Sequence, residues 1–216
     1  MILGAGGHGQ TIADALLRIG RIDPQMRVLG FLDDTLEPQG WSYQGLSVLG
    51  TISRVAEIPH DGAIVAIGDN RARRQIFFAL RQKGIELISV VHPTATLALD
   101  VEVGPGCYIG ANAVVGVSCR IGANTIVNGA GGLGHHNQIA AHVHIGPGVQ
   151  SAKGVVIGEG AQIGVGTTLH PGCRVGAWSV VGAGSLVTHD IADGVLAVGS
   201  PARAVRRLPL DDPAQA

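Results

Sequence analysis

Four histidines, His135, His136, His142 and His144, lie within ten residues of one another in the second half of the chain. Histidine titrates near neutral pH, so it serves as a general base, and its neutral ring is also a common metal ligand. A single surface histidine is more often structural than functional. Four in so short a stretch, close to Asn128 and several glycines, favour a functional role, as a general base or as metal ligands.

A second set of residues, near the start of the chain, has the character of a phosphate or sugar site. The loop Gly4-Ala5-Gly6-Gly7-His8-Gly9 follows a short apolar run, and its glycines permit close backbone approach to a ligand. A helix that begins after such a loop attracts phosphate. Asp33 and Asp34 end the next apolar run, which in such sheets faces the ligand crevice. They are either partners of a sugar or ribose hydroxyl or part of a solvated turn. The region is too short for two mononucleotide-binding halves, so we do not expect NAD or FAD.

The histidines lie inside a stretch, residues 91–190, that follows a six-residue rule. Stepping by six from Val91, sixteen of seventeen positions are aliphatic, only Ser151 breaks the series, and glycine comes next in ten of the seventeen. This period fits a parallel β-solenoid in which each short strand supplies one inward aliphatic side chain. Three units make a triangular coil of about eighteen residues, and stacked coils bury the aliphatic columns. We predict a left-handed parallel β-helix of hexapeptide repeats.

The residues before the repeat predict a small α/β domain. Apolar runs alternate there with amphipathic stretches, which is typical of a parallel sheet. The predicted strands are residues 2–3, 28–32, 63–67 and 86–91, and the predicted helices are residues 10–19 and 71–83. We therefore divide the chain into a Rossmann-like domain over 1–90, the β-helix over 91–190, and a C-terminal extension with a polar tail over 191–216.

The composition argues against several classes of function. The formal net charge is −1, so no basic surface for nucleic acid or for a membrane is expected. We see neither an apolar run long enough to cross a membrane nor a signal peptide, and we expect a cytoplasmic protein. The three cysteines occupy the small-residue position of the repeat, which predicts buried free thiols rather than disulfides or metal ligands.

The chain resembles the sugar acetyltransferases in which a small nucleotide-sugar-binding domain is fused to a left-handed β-helix. That family includes UDP-4-amino-sugar N-acetyltransferases of bacillosamine synthesis, perosamine N-acetyltransferases and sialic acid O-acetyltransferases. The resemblance covers nearly every residue from Ile2 to about Leu208 and depends on the order of several motifs. These motifs are Gly4-Ala5-Gly6-Gly7-His8-Gly9, Phe31-Leu32-Asp33-Asp34, Ala66-Ile67-Gly68-Asp69-Asn70, Val91-His92-Pro93, Val127-Asn128, His135, His144-Ile145-Gly146-Pro147-Gly148 and Val198-Gly199-Ser200-Pro201-Ala202-Arg203.

The resemblance implies a homotrimeric transferase that moves acetyl from acetyl-CoA to the amine of a nucleotide-linked 4-amino-4,6-dideoxy sugar. It places the general base at His135, and His136 stands where the family usually has Asp or Glu. If the alignment is shifted by one residue, His136 is the base. Coenzyme contacts are implied at His144, Val165 and Ala183. Sugar contacts are implied at Gly6, Gly7, His8, Asp33, Asp34 and Gly68.

Three alternatives stay open on the sequence alone. The acceptor could be a hydroxyl of sialic acid or of another sugar. The chain could bind a sugar nucleotide without catalysis, and it would then not bind acetyl-CoA. It could also be a zinc-dependent hydratase like the carbonic anhydrases built on this solenoid, which need three converging imidazoles. The histidine spacing does not require such a site, so we expect no metal.

Overall fold

A computed structural model describes residues 1–35 and 41–210. The N-terminal region contains a three-stranded parallel sheet, in which β1 (Ile2–Leu3) lies between β2 (Phe31–Leu32) and β5 (Ile64–Val65), and two helices flank this sheet. Helix α1 (Gly7–Ile22) turns Ile12, Ala13 and Leu16 inward against the sheet, because apolar residues spaced by three and four share one helix face. The elements are β1 (Ile2–Leu3), α1 (Gly7–Ile22), β2 (Phe31–Leu32), β3 (Ser42–Tyr43), β4 (Leu46–Ser47), a 3₁₀ helix (Ile52–Glu57), β5 (Ile64–Val65) and α2 (Asn70–Gln82).

The remainder of the described chain forms the predicted parallel solenoid, with three sheets that are here called I, II and III. Sheet I contains β6 (Val90–Val91), β9 (Tyr108–Ile109), β12 (Ile126–Val127), β15 (His144–Ile145), β18 (Gln162–Ile163), β21 (Val180–Val181), β23 (Val195–Gly199) and β24 (Ala202–Arg207). Sheet II contains β7 (Thr96–Leu97), β10 (Val114–Val115), β13 (Gly132–Leu133), β16 (Gln150–Ser151), β19 (Thr168–Leu169) and β22 (Leu186–Val187). Sheet III contains β8 (Glu102–Val103), β11 (Arg120–Ile121), β14 (Gln138–Ile139), β17 (Val156–Ile157) and β20 (Arg174–Val175).

From β6 to β22, neighbouring strands within each sheet pair in register at eighteen residues, as when Ile126 faces His144 and Val127 faces Ile145. The second residue of almost every strand points inward, and these aliphatic side chains form the central core. Glycine follows them because the coils stack closely at that point. A Cβ on Gly164, for example, would lie 2.5 Å from the backbone nitrogen of Ala183. The turns between sheets stack in the same way and form three edges, named I–II, II–III and III–I.

The N-terminal region packs on sheet I and on the III–I edge. Tyr108 and Ile126 point outward from sheet I and are buried against the apolar face of α1. Beside them Arg73 of α2 is 1% exposed and donates to the backbone carbonyls of Asn124 at 3.1 Å and His142 at 2.9 Å. A buried guanidinium needs several acceptors to offset its desolvation. Arg73 therefore fixes how the two regions sit against each other.

Several boundaries differ from the predicted ones. Helix α1 begins three residues earlier than predicted, and the predicted strand 28–32 is regular only over Phe31–Leu32. The assignment of residues 86–91 to the α/β sheet was wrong at its end. Val90–Val91 pairs with β9 and forms the first strand of the solenoid, because Val91 already obeys the six-residue rule.

The C-terminal extension contributes a β-hairpin that the sequence analysis did not predict. Strand β23 adds parallel to β21, and β24 returns antiparallel to β23. Sheet I is thereby longer than the other two sheets. The predicted polar tail, residues 211–216, lies outside the described residues. Within the described ranges, neither α-helix combines the length and the apolar character that crossing a membrane requires.

Candidate active site

His135 and His136 share the turn between β13 and β14 on the II–III edge, and both are exposed. Backbone hydrogen bonds to the coils on either side hold this turn. The N–H of His136 donates to the carbonyl of Val117 at 2.9 Å, and the N–H of Gly154 donates to the carbonyl of His135 at 2.9 Å. His136 has a φ of 61°, as the tight turn requires. The two rings are therefore presented from a fixed backbone.

The two imidazoles contact each other through their Nδ1 atoms, which lie 2.8 Å apart, with the ring planes at 82°. One Nδ1 must donate and the other accept, so the pair shares a single proton at this contact. When His135 is the donor, its Nε2 has a free lone pair and can accept a proton from a substrate. His136 then acts as the acceptor, the part a carboxylate plays beside many catalytic histidines.

An open cavity of about 460 Å³ lies along the II–III edge beside this pair. Its lining consists of His135, His136, Lys153, Gly154, Pro171 and Gly172. Lys153 comes eighteen residues after His135, so it occupies the same place on the next coil. The cavity thus combines a candidate base with an ammonium group. A larger cavity of about 600 Å³ lies at the amino ends of the N-terminal strands, away from the carboxyl ends where α/β sheets bind ligands.

The predicted sugar-binding residues gather at the carboxyl ends of β1, β2 and β5. Helix α1 starts at Gly7, and its N-cap residue is Gly6, which has no side chain to cap the first turn, so its N–H groups present a site for an anion. Asp33 is buried, and its carboxylate accepts from the backbone N–H of Ala5 at 2.7 Å and of Thr35 at 2.8 Å. Asp33 therefore shapes the glycine loop itself.

Asp34 and Gly68 are exposed at the same end of the sheet. The Asp34 carboxylate accepts from the backbone N–H of Ile52 at 2.8 Å. No heavy atom lies within 4 Å of where a Cβ on Gly68 would be, and the same is true of Gly6 and Gly7. Space for a ligand therefore exists directly above the glycine loop.

His144 belongs to this N-terminal cluster rather than to the His135 cavity. Its Nδ1 lies 3.4 Å from the carbonyl oxygen of Gly68, and its ring centroid lies 6.3 Å from that of His8. Burial, followed by the charges of His144 and Arg73, lowers the pKa of His8 to about 4, and burial also lowers the pKa of His144. Nε2 of His8 is buried without a hydrogen-bond partner among the described residues.

The remaining predicted coenzyme residues lie on a third part of the surface. Val165 and Ala183 are exposed at the same place in successive coils of the I–II edge, where the N–H of Gly184 donates to the carbonyl of Val165 at 2.8 Å. Asn128 lies on this edge too, and its side chain accepts from the N–H of Gly129 at 2.9 Å. In one subunit the predicted residues therefore lie in three separate places: on the II–III edge, on the I–II edge, and on the sheet I side beside the N-terminal region.

Sequence reasoning missed three residues of potential importance. Lys153 could have been found by adding eighteen to His135, because that is the coil length. Asn137 and Ser151 lie in the core beneath the histidine turn, and only the break at Ser151 signalled them. In the described part of the chain, the side chains of His, Cys, Asp and Glu nowhere form a group of three or more suited to a metal ion.

Comparisons with known proteins match both regions. Residues 1–80 match the family described as the PglD N-terminal domain. Residues 154–189 match the family described as bacterial transferase hexapeptide, six repeats. None of the curated protein sequences compared with the chain matches it.

Solved structures match over nearly the whole chain. The acetyltransferase domain of PglB from Neisseria gonorrhoeae FA1090, in complex with acetyl coenzyme A, is 32% identical with a TM-score of 0.89, and 94% of this chain and 97% of that chain are covered. PerB from Caulobacter crescentus, in complex with CoA and GDP-perosamine, is 32% identical with a TM-score of 0.87 over 95% of this chain and 96% of that chain. WeeI from Acinetobacter baumannii AYE, at 24% identity and a TM-score of 0.85 over 94% and 98%, shares the fold.

Proposed function

The chain belongs to the family of sugar N-acetyltransferases that join a PglD-type N-terminal domain to a hexapeptide-repeat solenoid, and we propose that it acetylates the amine of a nucleotide-linked amino sugar. Acetyl-CoA is the proposed donor, and a 4-amino-4,6-dideoxy sugar is the proposed acceptor. The observation that carries the proposal is the Nδ1 contact between His135 and His136 beside an open cavity. When His135 is the donor of this contact, its Nε2 is available as a base.

In the proposed reaction His135 accepts a proton through Nε2 as the sugar amine attacks the thioester carbonyl. A new C–N bond forms, the C–S bond breaks, and CoA leaves as the thiol after receiving a proton. With His135 as the donor of the Nδ1 contact, Nε2 is its proton-accepting nitrogen. Negative charge develops on the carbonyl oxygen during the attack, and the ammonium of Lys153 in the same cavity is suited to stabilise it.

We further propose a homotrimer in which neighbouring subunits complete each site. His135 lies on the II–III edge, whereas the predicted sugar residues and His144 lie on the sheet I side of the same subunit. Only a second copy can bring an edge of this kind against such a face. Leu99 is fully exposed, and Val114 and Val117 are more than half exposed, in the coils just before the histidine turn. This apolar strip suits a contact between copies. The expected compartment remains the cytoplasm.

The proposal is tested by measuring release of free CoA from acetyl-CoA with UDP-, GDP- and dTDP-linked 4-amino sugars. The same assay with sialic acid as the acceptor tests for an O-acetyltransferase. The assay in the presence of a metal chelator tests for a zinc hydratase. We expect turnover with an amino sugar that is unaffected by chelator. His135→Ala should lower kcat by roughly 10²–10⁴-fold with little change in acetyl-CoA affinity, while the distant control His60→Ala should not lower it.

Three results would reject parts of this proposal. Acetyl-CoA that fails to bind would leave a sugar-nucleotide-binding protein without catalysis. Turnover of a sugar hydroxyl but of no amine would identify an O-acetyltransferase. If the His135→Ala variant is active and the His136→Ala variant is inactive, the general base is His136 rather than His135.

A further inference from the structure

Two polar side chains lie in the solenoid core where the repeat elsewhere has small or apolar ones. Ser151 is the inward residue of β16, and its partners on the adjacent strands are Leu133 and Leu169. Ser151 is 8% exposed, and Asn137, at the end of the histidine turn, is 0% exposed. Buried polar groups of this kind cost stability unless their hydrogen bonds are made.

The Asn137 amide makes every hydrogen bond that it can donate. Its Nδ2 donates to Ser151 Oγ at 2.8 Å and to the carbonyl of Gly134 at 3.1 Å. Its Oδ1 accepts from the backbone N–H of Val155 at 2.6 Å. Through these contacts the Asn137 side chain connects its own turn, strand β16 and the turn that follows β16. A fully satisfied buried network is rigid and specifies one local arrangement.

The segment that this network holds is the turn that presents the two histidines. Gly134 precedes His135, and Asn137 follows His136, so the amide closes the turn from inside at both ends. The backbone N–H of Gly134 also donates to the carbonyl of Ser151 at 3.0 Å. Any shift of Ser151 or Asn137 would therefore move the backbone from which the Nδ1 contact is made.

An apolar pair would be accommodated at these two places. Cys119 occupies the position of Asn137 on the preceding coil, and its sulfur accepts from the N–H of Asn137 at 3.4 Å. Val115 and Val187 occupy the position of Ser151 in other coils. Replacing both partners of a buried hydrogen bond by apolar groups of similar size is close to neutral or stabilising. For the Asn137–Ser151 bond, stability therefore gives no reason to keep the polar pair. In a cysteine variant the backbone N–H of Val155, which now donates to Asn137 Oδ1, would keep a sulfur acceptor of the kind that Cys119 offers to the N–H of Asn137.

We propose that Asn137 and Ser151 are positioning residues for His135. They hold the turn so that the Nδ1 atoms of the two histidines meet and Nε2 of His135 faces the cavity. The inference rests on the proposed function, and it adds a support for the base that lies inside the core rather than in the cavity.

The test is a double variant, Asn137→Cys with Ser151→Val, that restores residues found at the same places in other coils. We expect a melting temperature close to that of the wild type, an unchanged Kd for acetyl-CoA, and a kcat per folded subunit lowered on the order of ten- to a hundredfold. A residue pair with a merely structural role would not lower kcat while stability is kept.

Ser179→Ala is the matched control. The Ser179 hydroxyl is also buried in the core, and it donates to the carbonyl of Ala192 at 2.7 Å on the III–I edge. Its removal should lower the melting temperature and leave kcat per folded subunit unchanged. The double variant should thus lower kcat without lowering the melting temperature, and Ser179→Ala should lower the melting temperature without lowering kcat.

An unchanged kcat in the double variant would overturn the inference, and so would a loss of activity that only follows the loss of folded protein. Wild-type protein that turns over no amino sugar would instead reject the proposed function. The two failures are therefore distinguished by the wild-type measurement alone.

Discussion

Nδ1 of His136 lies 2.8 Å from Nδ1 of His135, so the side chain that contacts the proposed base is an imidazole rather than a carboxylate. A neutral imidazole accepts this hydrogen bond as a carboxylate does, but a protonated one has no lone pair left to accept it. The orientation of His135 thereby depends on the protonation state of its neighbour.

The first prediction concerns this replacement. In His136→Asp, the carboxylate should favour the imidazolium form of His135, so the acidic limb of the pH profile of kcat/KM should move to higher pH. His136→Asn, which tolerates the φ of 61° at this position, is the uncharged control and should leave that limb nearer the wild-type pH. A limb that does not move in His136→Asp would mean that another group orients the base.

The second prediction separates the roles of Asp33 and Asp34. Asp34→Ala should raise the KM for the sugar nucleotide without changing acetyl-CoA affinity, because Asp34 is exposed at the proposed sugar site. Asp33→Ala should raise the same KM and also lower the melting temperature, because its carboxylate holds the N–H of Ala5 in the glycine loop. Initial-rate kinetics and thermal unfolding measure both effects. A change in the KM for the coenzyme alone would contradict the assignment.

The third prediction concerns assembly. Val117 is 51% exposed in one subunit and stands one coil before His135 on the II–III edge. Val117→Glu should place like charges in the proposed contact between copies, dissociate the trimer and abolish turnover together. Sedimentation at micromolar concentration measures the mass. A wild-type monomer near 22.0 kDa would reject the shared site, and a fully active Val117→Glu trimer would exclude this edge from the contact.

The fourth prediction concerns acid stability. Burial, followed by the charges of Arg74 and Arg73, lowers the pKa of His142 from 6.5 to about 4. Between these values the unfolded chain binds a proton that the folded chain does not, so the free energy of unfolding should fall as the pH falls from about 6.5 to about 4. His142→Asn suits the φ of 62° and should make this decline shallower. Denaturant unfolding at several pH values measures it, and an unchanged pH slope would contradict the assignment.

The six-residue rule determined the solenoid, since aliphatic side chains in this phase are buried only when coils stack. The sequence also identified the glycine loop and the histidine pair, because those motifs are local. It placed Val90 in the last α/β strand although Val90 pairs within the solenoid, since a short apolar run reads alike in an α/β sheet and in a first coil.

The tertiary structure determined which residues that are distant in the sequence become neighbours. Residues eighteen apart become neighbours only when the coils stack, and this places Lys153 beside the histidine cavity. The packing of α1 and α2 on the solenoid placed His144 near Gly68 and away from His135. The break at Ser151 was visible in the sequence, yet its partner Asn137 is fourteen residues earlier. The solenoid path makes those two side chains meet, because it stacks strand β16 on the coil that contains the histidine turn.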